Sequence, residues 1–383
     1  MSSHPQSDRV RLGASATPAL VLDEPRMLRN IARLRDRLST LGVPLRPHIK
    51  TAKSIDVARR LLAGGDEQVT VSTLREAEEL FAAGVTDVLY AVGIAPDRLA
   101  RVQALRRRGC ALTVILDSPE QARAVAAASA TDPIPVLIEV DCDGHRSGLK
   151  PTDEQIVSIG RLLIDGGATL RGVMTHAGDS YNARSVPELE ACAERERVAA
   201  VAAADALRAA GLPSPVVSVG STPTAHFART LEGVTEVRAG VFAFFDLVMA
   251  GIGVCDLDDL AVSVLTTVIG HQSDKGWIIC DAGWMALSRD RGTQSQPVDQ
   301  GYGLVCDVEG RPYRDLIVVA ANQEHGVIAC REGCGAMPPD LPVGTRLRIL
   351  PNHACATGAQ FDAYSVLPVD GGLVASWPRF RGW

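Results

Sequence analysis

The segment Pro44-Leu45-Arg46-Pro47-His48-Ile49-Lys50-Thr51 decides the fold that we predict for this chain. It is short and β-rich, and it follows a stretch with the apolar periodicity of an amphipathic helix. We interpret it as the first strand of a parallel barrel, with Lys50 at the carboxyl end of that strand. A lone lysine at a strand end is usually an ordinary surface residue, so the remainder of the chain must decide between the two interpretations.

Strand-like and helix-like stretches alternate as far as about residue 245. The strand-like runs are largely apolar, as expected of strands that are buried on both faces. Eight alternations of this kind predict a TIM-type (β/α)₈ barrel, in which chemistry gathers at the carboxyl ends of the strands. The eight candidate strands are 44–48, 68–72, 87–91, 112–116, 135–140, 172–176, 216–219 and 236–242.

A second domain is predicted after residue 245, where the helical stretches give way to β-rich runs separated by Gly, Pro, Asn and Asp. We predict a barrel over 25–245 and an all-β domain made of 1–24 and 246–383, with 19–22 as a joining strand. The candidate strands of the second domain are 262–269, 277–280, 303–307, 316–320, 326–329, 346–350 and 364–369.

The composition narrows the class of protein. A formal net charge of −6 gives no electrostatic footprint for nucleic acid or an anionic membrane. No apolar run approaches the roughly 20 residues that a membrane helix needs, and the first residues lack an apolar signal region. Nine scattered cysteines fit reduced thiols better than a disulfide framework. These features predict a cytoplasmic protein.

The strand ends carry the residues that could do chemistry. Desolvation of Lys50 at a first strand end would favour the neutral amine, a nucleophile toward an aldehyde cofactor. Gly220-Ser221-Thr222-Pro223 opens a helix after the seventh strand and offers N–H groups and hydroxyls to a phosphate. Gly240, in Arg238-Ala239-Gly240 on the eighth strand, can bring further amides close, as barrels often bind phosphate there.

A metal pair is predicted in the β domain, at His353-Ala354-Cys355. In an extended segment both side chains would share one face, and imidazole with thiolate suits a divalent metal such as zinc. Two protein ligands leave positions open for a substrate or water. Glu324-His325 could add a third ligand or form a simple turn, and we regard Cys330 and Cys334 as a loop feature.

These motifs resemble the D-serine dehydratase and D-threonine aldolase family, which are fold-type III, alanine-racemase-like enzymes that depend on pyridoxal 5′-phosphate (PLP). The resemblance runs in order through nearly the whole chain. Three further segments are similar to the corresponding segments of the family members that dehydrate a hydroxyaspartate. The motifs are Arg46–Thr51, Asp143–Gly148, Thr175–Gly178, Gly220–Thr224, Arg238–Gly240 and His353–Cys355, and the three further segments are Asp281–Ala286, Ser288–Thr293 and Leu350–Phe361.

The resemblance implies roles for individual residues. Lys50 looks like the Schiff-base lysine, Arg146 like the arginine on the phenolic oxygen of PLP, and His176 like the histidine stacked on its pyridine ring. The group at the pyridine nitrogen would be Tyr181 or, as the second choice, Arg238. The phosphate-binding positions would be Ser221, Thr222, Gly240 and Val241.

The same resemblance implies that His353 and Cys355 bind the divalent metal of the dehydratases, zinc in the first place, with Mg or Mn as alternatives. Aldolase relatives often have an acidic residue in place of the cysteine. Homodimers are usual in this fold type, with the β domain of one subunit completing the site of the other. Arg289, Arg291 and His325 are unranked candidates for binding a second substrate carboxylate.

The expected activity is dehydration of a D-3-hydroxy amino acid, in the first place D-threo-3-hydroxyaspartate, to a 2-keto acid (oxaloacetate) and ammonia. Retro-aldol cleavage of a similar substrate to glycine and an aldehyde is the closest rival, and D-serine dehydration is another. A PLP-binding homeostasis protein without catalytic activity is the rival of a different class, but such proteins typically end with the barrel. Racemisation of alanine would leave the metal pair without a role.

Overall fold

The structure is a computed structural model that describes residues 12–65, 67–372 and 374–383. The chain forms two compact units. One comprises Ala32–Phe242 with Phe380–Trp383, and the other comprises Ala243–Arg379 with the chain up to Ile31. The sequence predicts a barrel domain over 25–245 and a β domain made of 1–24 and 246–383. These domain limits remain a prediction.

The two units are built from the following elements. The strands are β1 Ala19–Asp23, β2 Leu45–Pro47, β3 Gln68–Val71, β4 Asp87–Gly93, β5 Ala111–Leu116, β6 Pro135–Val140, β7 Thr169–Thr175, β8 Val216–Val219, β9 Glu236–Ala239, β10 Val262–Gln272, β11 Trp277–Cys280, β12 Leu304–Cys306, β13 Pro312–Ala321, β14 Gly326–Cys330, β15 Arg346–Leu350, β16 Ala363–Leu367 and β17 Ala375–Pro378. The α-helices are α1 Glu24–Thr40, α2 Ile55–Leu62, α3 Leu74–Ala82, α4 Leu99–Arg107, α5 Pro119–Ala128, α6 Gln155–Asp165, α7 Val186–Ala209, α8 Thr222–Phe227, α9 Leu247–Gly251, α10 Trp284–Leu287 and α11 Ala354–Gly358.

Strands β2 to β9 form one parallel sheet of eight strands, in the order β2-β9-β8-β7-β6-β5-β4-β3. The two end strands meet where His48 forms a parallel bridge with Thr70, and the Ile49 N–H donates to the Thr70 carbonyl at 2.9 Å. The sheet is therefore nearly closed into a barrel, and one of the helices α2 to α8 follows each strand from β2 to β8. The predicted (β/α)₈ architecture is confirmed.

Apolar side chains from neighbouring strands fill part of the barrel interior. Leu89, Ile115, Leu137 and Met174, one each from β4 to β7, are nearly inaccessible to solvent and pack as one cluster. Burial of such side chains stabilises the fold by roughly 1.5–3 kcal/mol each. The apolar strand residues predicted from the sequence thus contribute to a core inside the barrel.

Serine caps help to set where the surrounding helices begin. Ser118 accepts the Gln121 N–H at 3.3 Å at the start of α5, and Ser185 accepts the Glu188 N–H at 3.4 Å at the start of α7. In both helices a proline lies in the first turn, where its missing N–H breaks no intrahelical hydrogen bond. The capping sequence therefore predicts these helix starts.

Arg46, in the middle of β2, ties that strand to the strands on both sides. Its Nε donates to Glu236 Oε2 of β9 at 2.8 Å. On the other side, Nη2 donates to Gln68 Oε1 of β3 at 2.9 Å, and Nη1 donates to Asp87 Oδ1 of β4 at 2.8 Å. Arg46 is 8% exposed, so these partners must compensate for the desolvation of its guanidinium. The closure of the barrel depends on this arginine.

The second unit contains a sheet of nine strands, in the order β11-β14-β13-β12-β15-β10-β1-β16-β17. Strand β1 pairs antiparallel with β10 and parallel with β16, so the start of the described chain forms part of this sheet. Each of the seven strand candidates from 262 onward overlaps a strand of the structure, and β17 is an additional strand that the sequence did not predict. No helix in the described ranges is long and apolar enough to span a membrane.

Replacement of Arg46 by methionine tests the closure of the barrel. The change leaves the buried Glu236 carboxylate without its guanidinium, and breaking a buried pair costs about 3–5 kcal/mol. We expect a clearly lower midpoint in urea unfolding followed by circular dichroism. Arg101→Met, which removes the more exposed pair with Glu78, is the control and should cost about 1 kcal/mol or less. Equal midpoints for the two variants would contradict the role of Arg46.

Candidate active site

Lys50 follows β2 at the open carboxyl end of the barrel, as the sequence predicted, but residue 50 is exposed. The barrel alone therefore does not supply the desolvation expected at this position. The chain turns here, since the Lys53 N–H donates to the Ile49 carbonyl at 2.8 Å. This turn ends the first strand earlier than predicted, at Pro47 rather than His48.

Two imidazoles lie close enough to Lys50 to sense its charge. Burial, and next the charge of Lys50, lower the pKa of His48 well below its usual range. The same two causes, in the same order, lower the pKa of His176 to about 3. Both rings are therefore neutral at physiological pH. His48 was not among the predicted site residues, and it is the turn after the strand that brings its Nδ1 to 3.4 Å from the Lys50 backbone nitrogen.

Arg146 lies in the loop after β6, with an exposed side chain, and its Nη2 is 3.8 Å from Glu139 Oε1. Glu139 is buried near the end of β6, where burial raises the pKa of its carboxyl and the charge of Arg146 opposes that shift. A buried carboxylate thus faces the predicted cofactor-binding arginine. Sequence reasoning missed Glu139 because it sits inside an otherwise apolar strand.

The predicted phosphate-binding residues fall into two groups in the structure. The Ser221 hydroxyl is engaged, because it accepts the Thr224 N–H at 3.2 Å and shares a hydrogen bond of 2.9 Å with Ser180 Oγ. The Thr222 hydroxyl is buried and has no hydrogen-bond partner among the described residues. Buried hydroxyls are rarely left unsatisfied, so Thr222 is the group that a bound anion would satisfy.

Strand β9 brings Gly240 against the segment that carries Lys50. A Cβ on Gly240 would lie 2.9 Å from the His48 carbonyl oxygen, so only glycine allows this approach. Strand β9 ends at Ala239, earlier than the predicted 236–242, and the 3₁₀ turn Val241–Ala243 follows. Gly240 and Val241 thus lie at the same end of the barrel as Lys50.

The two candidates for the pyridine nitrogen differ in their surroundings. Arg238 is 4% exposed, and it donates from Nη1 to Ser218 Oγ at 2.7 Å and from Nη2 to the Thr175 carbonyl at 2.5 Å. Tyr181 is partly exposed in the 3₁₀ turn Gly178–Asn182, with its ring centroid 6.3 Å from that of His176. Arg238 is therefore held rigidly by the barrel, whereas Tyr181 lies in a connecting turn.

In the second unit the structure brings His353 and Cys355 together, although the predicted extended segment is wrong. His353 is the N-cap residue of α11, and Cys355 lies in the first turn of that helix. The two side chains nevertheless lie near each other, since Cys355 contributes to the raised pKa of His353. Strand β15 ends at Leu350, and the Asp246 carboxylate, by accepting the Ala354 N–H at 3.0 Å, supports the helix start at this point.

Asp290 is the residue that orients the imidazole of the pair. Its Oδ2 lies 2.7 Å from His353 Nδ1. Burial alone would lower the pKa of His353, but the hydrogen bonds to Asp290 and Cys355 and the charge of the buried Asp246 raise it to about 11. A carboxylate on one ring nitrogen is the usual support of a metal-binding histidine, because it fixes the ring, and a metal would displace the proton that the raised pKa keeps on the other nitrogen. The donor set therefore fits a divalent metal.

A third protein ligand is not evident in the part of the chain that the structure describes, where no group of three or more His, Cys, Asp and Glu side chains could hold a metal ion. Glu324 and His325 are exposed in the turn between β13 and β14, and the Asn322 N–H donates to the His325 carbonyl at 2.8 Å. The turn interpretation of these residues agrees with the structure. All nine cysteines are free thiols.

The surroundings of Arg289 and Arg291 distinguish these two candidates for binding a second substrate carboxylate. Arg291 is paired with Asp299, Nη2 to Oδ2 at 2.6 Å, and its guanidinium lies 5.0 Å from the centroid of the Tyr302 ring. The guanidinium of the exposed Arg289 lies 4.4 Å from the centroid of the Trp284 ring. Both guanidiniums stack on an aromatic ring, but that of Arg291 is already paired with a carboxylate, so Arg289 is better suited to bind an anion.

The sequence matches two family models in the order of the two predicted domains. The model of the alanine racemase N-terminal domain matches residues 22–248, and that of a serine dehydratase domain matches residues 261–367. D-threo-3-hydroxyaspartate dehydratase of Delftia sp. (strain HT23) is 58% identical over 372 residues, which cover 96% of this chain and 98% of that protein. The chain belongs to the D-serine dehydratase and D-threonine aldolase family. Its fold family is PLP-dependent.

Other members of this family differ in the reaction that their names describe. D-serine dehydratase of Dictyostelium discoideum is 28% identical, covering 96% of this chain and 97% of that protein. 3-Hydroxy-D-aspartate aldolase of Paracoccus denitrificans (strain Pd 1222) is 27% identical, covering 94% and 91%. The chain is therefore an enzyme of a family that contains both dehydratases and aldolases.

The solved structure of the Delftia dehydratase superposes with a TM-score of 0.95 at 57% identity, covering 98% of this chain and 100% of that one. Two further solved structures of a D-threo-3-hydroxyaspartate dehydratase, each 57% identical to this chain, are variants in which a histidine or, two residues further along, a cysteine is replaced by alanine. The cysteine variant is described as being in the metal-free form.

The titration of His176 in the cofactor-free protein tests the electrostatics of the barrel end. Because its pKa is lowered to about 3, we expect a neutral ring at all pH values above about 5. A folded-state pKa below that of the unfolded chain makes the protein less stable as the pH falls below about 6.5, and His176→Gln should weaken this dependence. Proton–nitrogen NMR correlations of the ring provide the measurement. A His176 signal that titrates near the ordinary pKa of about 6.5 would contradict the expected neutral ring.

Proposed function

We propose that this enzyme is a PLP- and divalent-metal-dependent lyase that dehydrates a D-3-hydroxy amino acid, in the first place D-threo-3-hydroxyaspartate, to oxaloacetate and ammonia. The observation that carries the choice of dehydration is the contact between His353 and Cys355. The family resemblance associates a cysteine at this position with dehydratases and an acidic residue with aldolases. The identity of 58% with a dehydratase supports the same choice.

The barrel end fits the cofactor. Lys50 supplies the amine, the exposed Arg146 a positive charge, and His176 a neutral ring. The buried Thr222 hydroxyl, which has no partner among the described residues, is a donor for the phosphate. When bound, PLP withdraws negative charge from the substrate Cα.

Lys50 would hold PLP through its amine and, when that amine is free, is proposed to act as the general base at Cα. The Lys50 amine takes the Cα proton, and the neutral state of His48 and His176 favours this step, since neither ring adds positive charge against the ammonium that forms. Loss of the β-hydroxyl then forms the enamine, and its release and hydrolysis yield the 2-keto acid and ammonia.

The imidazole of His353 and the thiolate of Cys355 are proposed to hold a divalent metal, zinc in the first place. A metal there supplies a Lewis acid that stabilises the departing hydroxide. Asp290 holds the His353 ring in place. The two-residue spacing of His353 and Cys355 equals that of the histidine and cysteine replaced in the solved dehydratase variants. Magnesium and manganese are less suited to a thiolate ligand.

We also propose that the enzyme is a homodimer and that it acts in the cytoplasm. In the same proposal the barrel domain spans 25–245, and the β domain consists of 1–24 and 246–383. The match of residues 261–367 to a serine dehydratase domain favours an enzyme over a PLP-binding homeostasis protein.

Product analysis tests the proposed reaction. Purified protein with PLP, zinc and D-threo-3-hydroxyaspartate should release oxaloacetate and ammonia in equal amounts, measured by coupled enzymatic assays. Lys50→Ala should reduce this rate by at least about 10³-fold, because both the cofactor linkage and the base are removed. It should also abolish the visible absorption of lysine-bound PLP. Glycine and glyoxylate as the main products would identify an aldolase and refute the dehydratase proposal.

Replacement of the metal pair tests the metal proposal separately. His353→Ala and Cys355→Ala should each lose the metal and at least about 10²-fold in rate, while they keep the PLP absorption band. Metal content is measured by mass spectrometry after dialysis. Cys330→Ala, which removes another partly exposed thiol of the same unit, is the matched control and should keep both metal and rate. Undiminished metal in both variants would show that the pair is not the site.

A further inference from the structure

Beneath the loops that follow β7 and β8 lies a carboxylate that the proposed chemistry does not use. Glu196, in the middle of α7, is 2% exposed. Its Oε1 accepts the Ala177 N–H at 3.0 Å and the Gly220 N–H at 2.9 Å. Its Oε2 accepts the Thr224 hydroxyl at 2.6 Å. One side chain thus binds both loops that carry predicted cofactor-binding residues.

The loop that follows β7 begins next to His176 and helps to position its ring. Ala177 directly follows His176, and the Gly220 carbonyl lies 2.8 Å from His176 Nδ1. Since a carbonyl oxygen can only accept, Nδ1 carries the proton, and the second nitrogen of the neutral ring is unprotonated. Glu196 therefore binds the N–H of Ala177, next to His176, and the N–H of Gly220, the residue whose carbonyl sets the tautomer of this imidazole.

The second loop is linked to the Thr222 hydroxyl. Because Thr224 donates its proton to Glu196, its Oγ1 is available to accept the Ser221 N–H, at 3.1 Å. The N-cap of α8 is then satisfied inside the protein, and the neighbouring Thr222 hydroxyl is left without a partner among the described residues. Glu196 thereby holds in place the turn on which the Thr222 hydroxyl lies.

Arg238 completes the arrangement from the neighbouring strand. It binds the Thr175 carbonyl and the Ser218 hydroxyl, one residue before His176 and two residues before Gly220. Its charge opposes the rise in the pKa of Glu196 that burial causes. A buried cation and a buried carboxylate thus hold the same two strand ends, the arginine through a carbonyl and a hydroxyl and the glutamate through two N–H groups.

We propose that Glu196 is a positioning residue for PLP, and that it acts through His176 at the pyridine ring and through Thr224 and Thr222 at the phosphate. The proposal rests on the proposed PLP-dependent function. Its alternative is a carboxylate that only stabilises the fold. The two differ in what the loss of Glu196 does to a folded protein, because a positioning role predicts changes in cofactor binding that exceed the change in stability.

The test compares Glu196→Ala and Glu196→Gln with the wild type. Alanine leaves two buried N–H groups without an acceptor, so we expect PLP to bind about tenfold more weakly or worse, whereas pyridoxal, which lacks the phosphate, should lose less. The visible circular dichroism of bound PLP should change, and NMR of the apo protein should show His176 Nδ1 no longer uniformly protonated. Glutamine keeps an acceptor for both N–H groups and should bind PLP within about threefold of wild type. Glu194→Ala, which removes a partly exposed pair on the same helix, is the control and should change none of these properties.

The outcomes separate the two proposals. If wild-type protein does not bind PLP, the proposed function fails before Glu196 is tested. If wild type binds PLP and folded Glu196→Ala binds it equally, with unchanged dichroism and an unchanged His176 tautomer, the positioning role is refuted. Should Glu196→Ala fail to fold, Thr224→Val decides, because it removes the hydroxyl that binds Glu196 and Ser221 in the phosphate loop and leaves the bonds from Glu196 to the Ala177 and Gly220 N–H groups in place. This variant should weaken PLP binding severalfold and leave pyridoxal binding unchanged, and equal PLP binding would refute the role.

Discussion

The buried guanidinium of Arg46 is the interaction on which the barrel and its chemistry depend. Strand β2 is only three residues long, and Arg46 at its centre binds Glu236 on one side and Gln68 and Asp87 on the other. Desolvation of an arginine is costly, and here two carboxylates and an amide offset it. Because β2 is held between its neighbours, the two residues His48 and Lys50 that follow it are placed at the carboxyl end of the barrel.

Charge at this end of the barrel is arranged in two layers. The exposed side chains, Lys50 and Arg146, are cationic. Beneath them lie the buried carboxylates Glu139 and Glu196 and the buried Arg238. The cationic rim suits an anionic cofactor, whereas the buried Glu196 and Arg238 satisfy backbone donors and an acceptor at the strand ends. The histidines between them stay neutral, because burial and the nearby cations both oppose their protonation.

The sequence predicted the repeating parts of the structure well, because these follow from local patterns. All eight barrel strands were located, and the main errors were at their ends, as for 44–48 and 236–242. The extended conformation predicted around His353 was wrong, because the Asp246 carboxylate supports a helix start there from 108 residues away. The sequence around His353 does not indicate that this distant carboxylate caps the helix. The exposure of residue 50 was missed for a similar reason, since burial is a property of the folded chain.

The amino-acid sequence by itself determined the strand and helix alternation, the lysine after the first strand and the His-x-Cys spacing, since all three are matters of order and period along the chain. Only the tertiary structure decided which distant groups support them. Asp290 meets His353 across 63 positions, and Glu196 meets Gly220 across 24. Such pairs depend on how strands register and how helices pack against them, and one sequence carries no local signal for that geometry. The catalytic candidates could therefore be found from the sequence, whereas the groups that orient them could not.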